Sequence, residues 1–427
     1  MSYSPDGQQY QPYGPQGQSP QPPYGDQYGR PYGQQQAPGR PPQGPYGQQP
    51  PYGQQPQYEE QYGDQYDYDP EPPPRRSRAR RWVIAGVTVL ALAGIAALVM
   101  NHFEIPPFTD KGSDVSFGQP AGGDGKKKDA GQPPPNSKML MPTGPAAEFK
   151  NSMTLADGTH VAVTTLDGKK SGFKGKVWVW APKEYNDPKF AKSGFPVMIA
   201  LPGGAGYPNN YWMGTDLGLQ TSISKWYAEG KSKPFILAMP VLNPGPDDKG
   251  IYWDGSDIPD QPKMGTWLTE DVPDLMKANF RTVKSRDGWA YMGSSTGGFA
   301  SLKAVLKYPE KFKAAICSGP DIVPDSSLWK GHDKEKAENN PELLAKAMID
   351  KKGAPDVYLA FQVGDNENNK KTLPDVQKFI ATYGNKGPIH TELRVIPGGQ
   401  HNAKTYVPNM GLGPIQFISK VMEGPVE

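Results

Sequence analysis

Residues 288–299 read Gly-Trp-Ala-Tyr-Met-Gly-Ser-Ser-Thr-Gly-Gly-Phe, and no other stretch limits the possible folds as strongly. A short apolar run ends in Gly293-Ser294-Ser295-Thr296-Gly297. A helical pattern follows, with Phe299, Leu302, Val305 and Leu306 on one face and Lys303 and Lys307 left for solvent. A G-x-S-x-G segment between a strand and a helix is the setting of a nucleophile elbow, where the serine sits in a strained turn. Residues two before and two after that serine must be small, because their side chains would collide. Gly293 and Gly297 hold those places. Glycine makes up 50 of the 427 residues, so the pentapeptide alone is weak and its flanks carry the argument. Ser295 is the candidate nucleophile.

Composition divides the chain. Residues 1–74 lack Leu, Ile, Val, Phe and Trp and repeat Pro-Tyr-Gly at 12–14, 23–25, 31–33, 45–47 and 51–53. Such a Pro/Gln/Tyr/Gly-rich segment cannot bury enough apolar surface to offset its ordering entropy, which predicts a disordered tail. Residues 75–101 combine Arg75-Arg76-Ser77-Arg78-Ala79-Arg80-Arg81 with an uncharged run over 82–100. At ~1.5 Å per residue that run extends roughly 28 Å, the span of a transmembrane helix. The arginines on its amino side predict a cytoplasmic tail and an extracytoplasmic remainder. The lipid bilayer is thus an expected partner through 82–100. Residues 102–137, rich in Gly, Pro, Asp and Lys, read as a flexible linker. The net charge of +2 and the interspersed charges give no reason to expect nucleic acid. The single cysteine, Cys317, excludes an intramolecular disulfide and reads as a core thiol.

Residues 138–427 are globular in composition and long enough for one sizeable core. Val161-Ala162-Val163 and Val177-Trp178-Val179-Trp180 read as paired early strands. Continuous apolar runs at 196–201 and 235–239 suit strands covered on both faces. Further strands are expected at 314–317, 357–361 and 393–396, with His390 just before the last of these. Helical patterns occupy 266–280, 343–349, 373–383 and 415–422, and Pro273 falls early enough to be tolerated in a first turn. This alternation implies an α/β fold, a mostly parallel sheet with helices on both faces.

A serine hydroxyl needs a base, and the base needs an orienting acid. In an α/β-hydrolase the order is serine, acid, histidine. His401, in Pro397-Gly398-Gly399-Gln400-His401-Asn402, follows the last strand and is the candidate base. Val363-Gly364-Asp365-Asn366-Glu367 offers two acids; Glu367 is favoured and Asp365 is its alternative. An oxyanion hole would take the Thr296 N–H and one from Pro202-Gly203-Gly204-Ala205-Gly206, with Gly204 or Ala205 as the donor. That glycine run lacks the Lys-Ser/Thr ending of a phosphate loop. No cofactor or metal is expected. The aromatic loops at 207–212 and 251–255 either line the substrate pocket or cap the core.

These residues resemble the Putative esterase family, which includes esterase D, feruloyl esterase domains and the secreted mycolyltransferases of actinobacteria. The resemblance covers roughly 155–422. It rests on the hairpin reaching Trp180-Ala181-Pro182, the strand and loop to Gly204, and Thr266-Trp267-Leu268-Thr269-Glu270-Asp271-Val272-Pro273. The stretch from Ser295 to Lys307-Tyr308-Pro309-Glu310-Lys311-Phe312 completes it. The tail before one membrane helix is similar to many actinobacterial membrane proteins. Membership implies an α/β-hydrolase fold with Ser295, an acid and His401. The expected function is that of a membrane-anchored extracytoplasmic serine esterase acting on a small-molecule or cell-envelope ester. Acyl transfer to a sugar or lipid hydroxyl is the alternative. A catalytically silent envelope binding module is the reading from another class.

Overall fold

A computed structural model of the protein describes residues 112–117, 136–245 and 250–427. The expected tail (1–74) and the expected membrane helix (82–100) lie outside these residues. Among the described residues no helix is long and apolar enough to cross a membrane.

Two short strands, β1 (Met139–Leu140) and β7 (Thr282–Val283), pair with each other. The others are β2 (Lys150–Thr154), β3 (His160–Asp167), β4 (Lys174–Trp180), β5 (Val197–Leu201), β6 (Ile236–Pro240), β8 (Trp289–Ser294), β9 (Ala314–Ser318), β10 (Val357–Gly364) and β11 (Ile389–Ile396). They form one nine-stranded sheet in the order β11-β10-β9-β8-β5-β6-β4-β3-β2. From β11 to β6 neighbouring strands are parallel; β4, β3 and β2 continue the edge as an antiparallel meander. Every residue of β5, β6, β8 and β9 is buried, because helices cover both faces. The β8 strand lies in the middle of the sheet, so its carboxyl end opens where ligand crevices form in such folds.

The helix expected over 266–280 begins slightly earlier and in pieces: a turn at Met264–Thr266, a wide π turn at Trp267–Asp271 and a regular helix at Val272–Asn279. Pro273 has no N–H to give to the preceding turn, and the ladder widens just there. The helices at Leu219–Ala228 and Ala403–Met410 escaped the sequence pattern. His390 lies inside β11, not before it; it stacks on Tyr358 at 4.7 Å and its Nε2 is 3.1 Å from Asp356 Oδ1.

Two expectations fail for clear physical reasons. Residues 112–117, assigned to the flexible linker, are docked. The Val115 N–H donates to the Phe149 carbonyl at 2.9 Å, and the Asn151 N–H donates to the Ser113 carbonyl at 2.8 Å. Phe117 packs against Phe149 and Phe280 with ring centroids 5.3 and 5.0 Å away. One aromatic and one open strand edge outweigh the loop-like composition around them.

Lys303 is not left for solvent. It is 4% exposed, and its Nζ donates to the main-chain oxygens of Asp254 (2.7 Å) and Gly255 (2.6 Å) and to the Ser256 hydroxyl. Lys307 is half-buried and donates to Asn339 at 2.9 Å. The helix Thr296–Lys307 is thus covered nearly all round.

Lys303→Ala strands three acceptors and leaves a cavity, a loss of about 3 kcal/mol in urea unfolding. Burial lowers the Lys303 ammonium from its usual 10.5 to about 7, with Asp254 pulling the other way. Between those pH values the unfolded chain holds the extra proton. This residue therefore makes stability rise as pH climbs from 7 toward 10.5. Urea midpoints at pH 7 and 9 should show that slope in the native chain and its loss in Lys303→Ala.

Candidate active site

Ser295 joins β8 to the helix Thr296–Lys307 in a backbone conformation rare for a non-glycine residue, φ 53° and ψ −125°. The neighbouring glycines permit it. A Cβ on Gly293 would overlap the Gly297 carbonyl, and one on Gly297 would overlap the carbonyl oxygens of Leu201 and Pro202. The half-buried Ser295 therefore stands at the top of the central strand. Its own N–H is anchored to the Ser318 carbonyl at 2.9 Å.

His401 lies in the loop after β11, and Glu367 in the loop after β10. Hydrogen bonds between these loops hold them together: Asp365 N–H donates to the Ile396 carbonyl at 3.1 Å and Asn366 N–H to the Gly399 carbonyl at 3.0 Å. Glu367 is 2% exposed, and its Oε2 is 2.8 Å from His401 Nδ1. Its other oxygen accepts from Gly364 N–H at 2.9 Å and from the Tyr406 hydroxyl at 2.6 Å. Burial pushes the Glu367 carboxyl up, but hydrogen bonds from His401, Tyr406 and Gly364 outweigh it and hold it below its usual value. Asp365, the alternative acid, is exposed; its Oδ1 accepts from Gly398 N–H at 2.7 Å and so ties down the histidine loop. Of the two acids, Glu367 is the one brought to His401.

The imidazole packs on Gly319. A Cβ there would stand 2.8 Å from His401 Nδ1, and Gly319 has φ +51°. Gly319 directly follows Ser318, whose carbonyl holds Ser295. One short segment after β9 thereby touches both the serine turn and the histidine.

Thr296 is the first residue of its helix, so its N–H has no partner in a preceding turn. The loop after β5 lies against the serine: a Cβ on Gly203 would be 3.2 Å from the Ser295 Cβ. Gly203 N–H is committed to the Tyr211 hydroxyl at 2.6 Å, and that hydroxyl also bonds Ser294 Oγ. Gly204 turns with φ +64°. The carbonyls of Gly204 (3.3 Å) and Ala205 accept from buried Asn243 Nδ2, which pins the segment carrying both candidate donors.

The aromatic loops mainly cap the core. Trp212 is fully buried and donates to the Leu201 carbonyl at 2.8 Å, while Tyr207 is 38% exposed. Asp254 is buried and accepts from Trp329 Nε1 at 2.7 Å. Sequence reasoning missed Asn243, Tyr406 and Asp321, whereas Tyr211 lies in the 207–212 loop that it singled out. Burial, then the Asp325 carboxylate, pushes the Asp321 carboxyl up to about 6, with His401 pulling it back. Only the place of Asp321 just after β9, at a strand's carboxyl end, offered a signal. Cys317 is a buried free thiol whose acidity burial suppresses.

Comparison with known proteins places this geometry. An uncharacterized protein of Corynebacterium glutamicum is 25% identical over 250 residues, covering 55% of each chain. An S-formylglutathione hydrolase of Paracoccus denitrificans is 25% identical over 128 residues, covering 26% of this chain and 45% of its own. The chain thus spans about half the length of the curated relatives it matches. Among solved structures, a ferulic acid esterase superposes with TM-score 0.50 at 17% identity, over 62% of this chain and 99% of its own. An S-formylglutathione hydrolase from Agrobacterium tumefaciens gives TM-score 0.50 at 17% identity, over 64% and 99%. These likenesses show an α/β-hydrolase-like esterase fold. The sequence profile of the Putative esterase family matches residues 172–407, more than half of the chain, and the chain belongs to that family.

Proposed function

We propose that this protein is a serine carboxylic-ester hydrolase working through Ser295, His401 and Glu367. The observation that carries the reading is the buried Glu367–His401 hydrogen bond of 2.8 Å, linked through the Ser318–Gly319 segment to a serine held at φ 53° in the elbow turn. Family membership supports it, as do the names of the S-formylglutathione hydrolase and ferulic acid esterase relatives.

The chemistry follows from the proton inventory. His401 Nδ1–H donates a hydrogen bond to the Glu367 carboxylate, which leaves the Nε2 lone pair as the proton acceptor. Ser295 Oγ attacks the ester carbonyl while Nε2 takes its proton. The Thr296 N–H and the N–H of Gly204 or Ala205 receive the oxyanion. His401 then returns the proton to the departing alcohol. Water attacks the acyl-enzyme, hands a proton to His401, and frees the acid and the serine.

In the full chain, Ser295→Ala should abolish turnover of short p-nitrophenyl esters and labelling by a fluorophosphonate probe, while the thermal midpoint stays near native. Labelling that persists in the variant overturns the assignment.

The two acids separate by their partners. Glu367→Gln leaves the imidazole without its carboxylate and should lower kcat/KM by about 10³–10⁴-fold. Asp365→Asn keeps an oxygen to accept from Gly398 N–H and removes only the charge, so it should lower kcat/KM by less than about tenfold. A reversed order in steady-state kinetics reassigns the acid.

The reading includes a membrane anchor at 82–100 with the esterase domain extracytoplasmic, which the arginine cluster and uncharged run support. Protease added to intact cells should then remove an epitope placed after residue 427 and spare one placed in 1–74. The reverse protection overturns this topology.

A further inference from the structure

The geometry points to Tyr406 as a positioning residue that clamps Glu367 and, through it, sets the imidazole; this rests on the esterase reading above. A glutamate has one more rotatable bond than an aspartate, so its carboxylate sweeps a wider arc unless something stops it. Here the Oε1 of Glu367 accepts from two donors, Gly364 N–H at 2.9 Å and the Tyr406 hydroxyl at 2.6 Å. With one oxygen held twice, the other has a single direction, toward His401 Nδ1 at 2.8 Å. Tyr406 is 1% exposed, so water does not compete for the carboxylate on that side.

The phenol also bears on the imidazole directly. Its oxygen is 3.0 Å from His401 Nδ1. Since its proton goes to Glu367, that oxygen faces the ring as an acceptor. Glu367 and Tyr406 therefore both select the Nδ1–H tautomer and leave the Nε2 lone pair for the serine proton. Burial, with the adjacent carboxylate, keeps the phenol protonated. The absence of a side chain at Gly319 makes the arrangement possible, because a Cβ there would overlap the Tyr406 hydroxyl. Tyr406 touches neither substrate nor Ser295 in this scheme; it acts through Glu367 and His401.

The test uses the full chain, p-nitrophenyl acetate and a fluorophosphonate probe. Tyr406→Phe removes one oxygen and keeps the ring. It should lower kcat and the labelling rate about tenfold, with KM within about twofold of native. In a Glu367→Gln background the same substitution should change the labelling rate by clearly less than about tenfold, because the carboxylate is gone and only the direct contact with Nδ1 remains. An unchanged kcat, a change confined to KM, or a full tenfold loss in the Glu367→Gln background overturns the proposal. Should Tyr406→Phe lose its fold, 3-fluorotyrosine placed at 406 retunes the hydroxyl at nearly constant shape. A labelling rate that ignores this more acidic phenol overturns the proposal equally. A native chain that neither turns over ester nor labels at Ser295 fails the esterase reading itself. An active native chain with an equally active Tyr406→Phe fails only the clamp.

Discussion

The site is built on backbone meeting backbone where the helix Thr296–Lys307 starts against the end of β5. Gly297 abuts the Leu201 and Pro202 carbonyls, and Gly293 abuts the Gly297 carbonyl, with no room for a Cβ at either. That closeness forces the sharp turn at Ser295, whose positive φ costs on the order of 1–3 kcal/mol. It is sustained because the serine N–H is bonded to Ser318 and the helix behind it is buried almost throughout. It also brings the Gly203 loop against the serine. A single steric condition thus places the hydroxyl, the helix N-terminus and the glycine-rich loop after β5 at one mouth.

Glu367, bonded to His401, and Lys303, in the helix behind the serine, resolve the same penalty in opposite ways. Burial disfavours charge on both Glu367 and Lys303. Glu367 has three donors, one of them an imidazole, and ends below its ordinary value. Its stabilisation is present above the unfolded carboxyl value of about 4.3 and is lost as pH falls through the lowered folded one. Lys303 has three neutral oxygens as acceptors and one nearby carboxylate, which do not make up for the lost water. An acid meant to stay ionised beside a histidine needs donors on both oxygens, and Glu367 has them.

What was legible in the chain follows the same physics. The elbow, the buried parallel strands and the loops carrying His401 and Glu367 announce themselves through local rules: small residues at a tight turn, continuous apolar runs, polar residues after strands. Asp365 and Glu367 could not be told apart from spacing, because which carboxyl turns inward depends on the loop after β11, more than thirty residues away. Tyr406 reads as an ordinary helical aromatic until the fold places its hydroxyl beside Glu367. Lys303 falls on a face that periodicity gives to solvent, and only the 254–256 segment crossing that face buries it. Residues 112–117 look like spacer because Val115 and Phe117 among small and polar residues are too little for a composition rule to register.

The buried Lys303 has a further structural consequence when followed outward. Its Nζ holds the carbonyls of Asp254 and Gly255 at 2.7 and 2.6 Å. Trp253, next in that segment, donates its N–H to Asn243 Oδ1 at 3.1 Å. Asn243, fully buried, gives its amide hydrogens to the carbonyls of Gly204 and Ala205. The helix that begins at Thr296 and the loop after β5 would each supply one oxyanion donor. They are therefore joined twice, directly at Gly297 and through this buried chain of hydrogen bonds. A hole made of two N–H groups from distant segments works only if their separation is fixed before the oxyanion forms. Glycines at 203, 204 and 206 would leave that loop loose on their own. A buried amide with both ends occupied supplies the rigidity that the glycines give up.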